Sequence, residues 1–192
     1  MAFDREKISK GVRLILEGIG EDPDREGLVE TPRRVADMYQ EVFAGIGRSP
    51  DEVVTVIKGA EHDEMIMVKE IPVTSFCEHH VVPFDGKAHV AYIPNGRIVG
   101  LSKIARVVDV FAKRLQVQEK LTKQIASAIQ AHLAPQGVAV IVQCQHFCMC
   151  YRGVKKPGSW TTTSKLYGIF LQDSAARMEL FTLIGQKREL GG

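Results

Sequence analysis

Met65-Ile66-Met67-Val68-Lys69-Glu70-Ile71-Pro72-Val73-Thr74-Ser75-Phe76-Cys77-Glu78-His79-His80 joins an apolar-rich run to a cluster of metal-ligand side chains. Met65 to Phe76 reads as a strand. Pro83-Phe84-Asp85-Gly86 reads as a turn, and Gly86 to Ile93 as a second strand. Pro94-Asn95-Gly96 then turns the chain into a short strand, Arg97 to Val99. Ser102 is expected to cap a helix with the apolar face Ile104, Val107, Val108 and Phe111. A second helix, Gln118 to Leu133, carries Leu121, Ile125, Ile129 and Leu133 in register. Val138 to Arg152 reads as one long strand, Leu166 to Phe170 as another, and Ser174 to Ile184 as a closing helix. Strands, then two helices, then strands predict an α+β domain with a mainly antiparallel sheet.

Upstream, Ile8, Val12, Ile15 and Ile19 recur at helical spacing, with Asp4 as N-cap. Thr31-Pro32 opens a second helix, with Thr31 as the expected cap and Gly45 as the stop. Its apolar stripe is Val35, Met38 and Val42. The expected organisation is therefore an N-terminal helical region, 1–60, and a catalytic domain, 61–192. The 192 residues allow one domain with a sizeable core and a helical appendage. A net charge of +2 gives no argument for nucleic acid or a membrane surface. No apolar run is long enough to span a bilayer. The start lacks an apolar signal-peptide core, so a cytoplasmic protein is expected. Four cysteines in such a chain read as thiols or metal ligands rather than a disulfide framework.

Cys77 and His80 suit zinc, which takes sulfur and nitrogen in a tetrahedral shell. A further ligand must come from elsewhere, and His146-Phe147-Cys148-Met149-Cys150 is the evident source. Three protein ligands and an open position describe a catalytic zinc. If the long strand runs through Arg152, then His146, Cys148, Cys150 and Arg152 share a face, about 6.6 Å apart in succession. Cys148 is favoured as the ligand, and Cys144 and Cys150 as small apolar fillers. The adjacent His79 and His80 point different ways, so one can ligate while the other moves a proton. Lys103 and Arg106 share a helix face, and Arg152, Lys155 and Lys156 cluster after the strand. Such cations favour phosphate, although a solvated basic surface is their commoner role. Glu119 opens the second core helix. A helix-dipole partner is the default reading, and the alternative is that it accepts two parallel donors from a substrate such as a guanine edge.

Together these residues resemble GTP cyclohydrolase I. The resemblance rests on Thr74-Ser75-Phe76-Cys77-Glu78-His79-His80, Gly100-Leu101-Ser102-Lys103-Ile104-Ala105-Arg106, Gln116-Val117-Gln118-Glu119 and His146-Phe147-Cys148-Met149-Cys150-Tyr151-Arg152-Gly153. It extends to Glu21-Asp22-Pro23-Asp24-Arg25-Glu26-Gly27-Leu28. It implies a zinc enzyme that opens the imidazole ring of GTP, expels C8 as formate and forms 7,8-dihydroneopterin triphosphate, the first step of pterin and folate synthesis. It implies that Cys77, His80 and Cys148 hold zinc and that His79 is the proton donor. Glu119 with Gln118 would recognise guanine, His146 would lie near the ribose, and Ser102, Lys103, Arg106 and Arg152 would bind the sugar-triphosphate. The implied fold is the tunnelling fold, an antiparallel sheet with two helices on one face. Its subunits join into rings, here a homodecamer of two stacked pentamers with sites at subunit junctions.

Three rival readings compete. A zinc nucleobase deaminase shares the H-x-E half of its signature with His62-Asp63-Glu64, but the P-C-x-x-C half is missing. Another tunnelling-fold enzyme could act on a different purine or pterin. A structural-zinc binding module would close the shell with Cys77, His80, Cys148 and Cys150.

Overall fold

The computed structural model describes residues 3–59 and 61–186. The chain forms two compact units, one ending at Ala44 and the other beginning at Gly45. The boundary expected from sequence falls at Ala60, which lies outside the described residues. Residues 45–59 group with the second unit, where Gly45 N–H donates to Lys113 O at 3.0 Å and Val56–Lys58 pair with Arg97–Val99.

The first unit is a pair of helices, α1 (Arg5–Gly18) and α2 (Thr31–Val42). Asp4 caps α1 by accepting from Lys7 N–H at 2.9 Å. Thr31 does not cap α2. Glu30 holds that position without a side-chain bond, so Thr31 and Pro32 fill the first turn, where no amide donor is required. The helix ends at Val42 with Phe43 as its C-cap, before Gly45 is reached. Arg5 pairs with Asp37, and Arg13 grips both carboxylate oxygens of Asp24 at 2.8 and 2.7 Å.

The second unit is built on a five-stranded sheet in the order β5-β2-β3-β6-β7. Its strands are β2 (Ile66–Cys77), β3 (Pro83–Ile93), β5 (Leu115–Gln116), β6 (Gly137–His146) and β7 (Trp160–Gly168). All pairings are antiparallel except the short one between β2 and β5. A separate ribbon joins β1 (Val56–Lys58) to β4 (Arg97–Val99). Helices α3 (Leu101–Ala112) and α4 (Gln118–Leu133) share one core with one face of the large sheet. That core contains Val73, Phe84, Val90, Tyr92, Ile104, Val108, Leu121, Ile125, Val140 and Val142. The alternate residues Ala91, Ala139 and Ile141 form a second cluster on the other face with Phe170 and Leu180. Those two belong to α6 (Ile169–Gln172) and α7 (Ser174–Gly185). The period of two along β3 and β6 thus divides the side chains between two cores.

Four further local expectations change. The strand expected over Leu166 to Phe170 starts earlier and ends at Gly168, as β7, and Ile169 and Phe170 wind into α6. Pro83 to Gly86 are strand, because the reversal is completed earlier, in residues 78–82. Ser102 sits inside the first turn of α3, whose N-cap is Gly100 with no side-chain bond. The long strand stops at His146, where Phe147–Cys150 wind into a helical turn, α5. Gly86 has a distinct task. A Cβ there would lie 1.9 Å from Gln143 O, so only glycine permits β3 and β6 to approach at that point.

Candidate active site

The reversal between β2 and β3 shapes the Cys-x-x-His segment. Cys77 N–H donates to Val82 O at 2.9 Å, and Val81 N–H donates back to Cys77 O at 2.8 Å. Glu78 N–H donates to Gln116 O at 3.0 Å, tying the loop to β5. Val81 has φ 54°, a left-handed conformation that a β-branched side chain rarely adopts. This tight loop turns His80 back toward Cys77, with Nδ1 at 3.9 Å from Sγ. Cys77 is buried, at 5% exposure, and His80 is exposed.

Cys148 completes the cluster. The ligand atoms of Cys77, His80 and Cys148 all lie within 4.8 Å of one another. A tetrahedral zinc with Zn–S of about 2.3 Å and Zn–N of about 2.0 Å separates its ligand atoms by roughly 3.3–3.8 Å, so the donors fit with small adjustment. Burial, with the Cys77 sulfur close by, pushes the Cys148 thiol up. A divalent cation inverts that preference and draws both thiols to thiolate.

Strand parity pointed to Cys148, which the structure brings to Cys77 and His80 by a different backbone path. Because α5 is helical, successive side chains turn by about 100°, so Cys148 and Cys150 diverge. Cys150 is 6% exposed and outside the three-donor group. Cys144 is fully buried in the sheet core, and burial pushes its thiol up to about 12. A closed four-ligand site including Cys150 is therefore absent among the described residues, and His62 is outside the group too.

The two adjacent histidines separate as expected. Their ring centroids lie 6.4 Å apart with planes at 84°, and His79 is exposed. His80 Nε2 lies 2.6 Å from Arg152 Nη1. A guanidinium only donates, so this contact makes Nε2 the acceptor and leaves Nδ1 protonated toward Cys77. Were His80 to hold a metal through Nδ1, Nε2 would carry the proton and could no longer accept from Arg152.

Half-buried His146 ends β6 opposite Phe84 and stacks on its ring, with centroids 4.6 Å apart and planes at 11°. Its Nε2 lies 2.8 Å from Gln118 Oε1. Burial lowers the His146 pKa, and the charge of Glu119 partly opposes this. Glu119 is exposed in the first turn of α4, one residue from the buried Gln118. Phe84 and the Gln118–His146 bond were not legible in the sequence. Both depend on strand register, although an aromatic beside the Cys-x-x-His segment was a usable signal.

Ser102 and Arg106 are exposed and Lys103 half-buried near the start of α3. No side-chain hydrogen bond or ion pair links them to the metal-ligand group among the described residues. Cys77, His80, Cys148 and Arg152 come together, with Gln118, His146 and Phe84 forming a second connected set.

The family model described as GTP cyclohydrolase I matches residues 8–185. The chain belongs to the GTP cyclohydrolase I family. It is 58% identical over 187 residues to GTP cyclohydrolase 1 of Caldanaerobacter subterraneus subsp. tengcongensis, covering 97% of this chain and 100% of that relative. It is 58% identical over 188 residues to GTP cyclohydrolase 1 of Carboxydothermus hydrogenoformans, covering 97% and 98%. Against GTP cyclohydrolase 1 of Clostridioides difficile the identity is 55% over 186 residues, covering 96% and 98%. The α+β sheet with α3 and α4 on one face is the tunnelling fold of this family.

Proposed function

We propose that this chain opens the imidazole ring of GTP hydrolytically, releases C8 as formate and forms 7,8-dihydroneopterin triphosphate. The observation that carries the reading is the Cys77, His80 and Cys148 group, which leaves a fourth position open, in a chain of the GTP cyclohydrolase I family. Zinc is the metal that two thiolates and an imidazole favour. When bound, it supplies a Lewis acid that lowers the pKa of water to about 7.

The protein residues take distinct parts. His79, turned away from His80, donates a proton to the purine imidazole and makes C8 more electrophilic. His146 faces the ribose. Glu119 accepts the ring N–H and the exocyclic amine of guanine, a pair that adenine does not present. Ser102, Lys103, Arg106 and Arg152 bind the triphosphate, and Arg152 would be released from His80 if His80 held the metal through Nδ1.

A homo-oligomer is part of the proposal. Among the described residues no strand pairs with the outer edge of nine-residue β7, and β5 covers only Phe76 and Cys77 on the outer edge of β2. Two long open edges on opposite sides of one sheet support ring closure by sheet extension between copies. Ring assembly, and two stacked pentamers in particular, would let α3 of one subunit serve the site of its neighbour. Incubation with GTP and zinc, followed by detection of formate and of a fluorescent oxidised pterin, is the test. Absence of both products from zinc-loaded protein would overturn the reading.

A further inference from the structure

Gln118 is buried at 1% exposure, and its side-chain amide is committed within the protein. Nε2 lies 2.9 Å from Val142 O, 3.0 Å from Thr161 O and 3.1 Å from Thr163 Oγ1. Two of these partners are backbone carbonyls, which only accept. The amide nitrogen must therefore face them, because a flipped amide would set Oε1 against two carbonyl oxygens. This fixes Oε1 on the other side, 2.8 Å from His146 Nε2. An amide oxygen accepts, so His146 Nε2 carries a proton. In neutral His146 the lone pair is then on Nδ1, and no protein group bonds Nδ1 among the described residues.

We propose that Gln118 is a positioning residue that sets the tautomer and ring orientation of His146, rather than a reader of the guanine base. The inference rests on the proposed GTP ring-opening function and assigns a task within it. Two restraints act on the ring together. Phe84 holds its plane by stacking, and Gln118 holds its rotation by the Nε2 bond. Gln118 is itself anchored to β6 and β7, so His146 presents Nδ1 as a proton acceptor from a rigid mount. Thr163 extends the anchor, since its hydroxyl also meets Thr122 Oγ1 at 2.6 Å. The base-reading role that Glu119 and Gln118 were expected to share then falls to Glu119 alone.

The separation of kcat from KM tests this assignment. Gln118→Met keeps the side-chain length and removes the hydrogen bonds of the side-chain amide. With zinc content matched to the parent, kcat for formate release should fall at least about tenfold, as for other residues that orient a reacting group through one hydrogen bond. KM for GTP should stay within about twofold of the parent. Raised KM with unchanged kcat would make Gln118 a base reader, and two unchanged constants would remove it from the site. Thr163→Val loosens the same mount from outside and should lower kcat in the same direction by a smaller factor. Should Gln118→Met fail to fold, the tautomer can be read on the unaltered side chain. The nitrogen-15 histidine spectrum of the parent, with His146 assigned by its loss in His146→Asn, should show Nε2 protonated. An Nδ1-protonated His146 would overturn the proposal. A parent that makes no formate would instead sink the ring-opening function itself.

Discussion

At the scale of single residues, the metal-ligand group depends on two local backbone events. The left-handed Val81 closes the loop that returns His80 to Cys77, and the helical turn at Phe147 swings Cys148 toward that pair while Cys150 turns into the buried interior. Cys148→Ala should therefore lose stoichiometric zinc by elemental analysis, whereas Cys150→Ala should retain it. Retained zinc in the first variant and lost zinc in the second would exchange their roles. His79 belongs to the same loop but not to the ligand group. His79→Ala should stay zinc-loaded while formate release falls about 10²–10⁴-fold, the usual cost of losing one positioned acid. Loss of zinc in that variant would make His79 a ligand.

At the scale of elements, the β3–β6 pairing underlies both the site and the core. It sets Phe84 opposite His146 and Gly86 opposite Cys144. Gly86→Ala would force a Cβ into Gln143 O, so it should destabilise the fold by at least about 2 kcal/mol, typical of severe steric changes. Urea titration of the folded domain is the check, and an unchanged midpoint would refute the close-approach argument. On the opposite sheet face, His89 is 4% exposed and burial depresses its pKa. The unfolded chain takes up that proton near the ordinary value of about 6.5 while the folded chain still resists it, so stability rises with pH across this window and is lost on acidification. His89→Gln should flatten the fall in urea midpoint between about pH 7 and pH 5. Much of this was legible in sequence where periodicity governs. The faces of α3 and α4 followed from apolar spacing, and the Asp4 cap from its position, whereas in α1 only Ile8 and Val12 of the expected stripe are half-buried and Ile15 and Ile19 are exposed. The end of β6 was not legible, because Phe147-Cys148-Met149-Cys150 continues an apolar pattern that suits strand or helix equally. Nor was the commitment of Gln118, which depends on partners 24 and 43 residues away along the chain.

At the scale of the whole molecule, the question is whether one chain holds a complete site. Cys77, His80, Cys148 and Arg152 assemble within one chain, but no side-chain hydrogen bond or ion pair joins Lys103 or Arg106 to them among the described residues. In the proposed ring, the edges of β7 and β2 would let a neighbouring subunit complete the arrangement. A shared site makes a distinct prediction about mixtures. Cys148→Ala removes a ligand of the proposed metal centre, and Arg106→Ala one cation of the proposed triphosphate clamp. Each homo-oligomer should be nearly inactive. If clamp and metal centre come from different subunits of a head-to-tail ring, co-refolding equal amounts leaves about a quarter of the junctions with both parts intact. Formate release should then recover toward about a quarter of the parental rate, with subunit exchange confirmed by mass. If one chain supplies the whole site, every site in the mixture carries one defect and no recovery is possible. The amount of recovered activity therefore reports directly on which subunit holds the triphosphate.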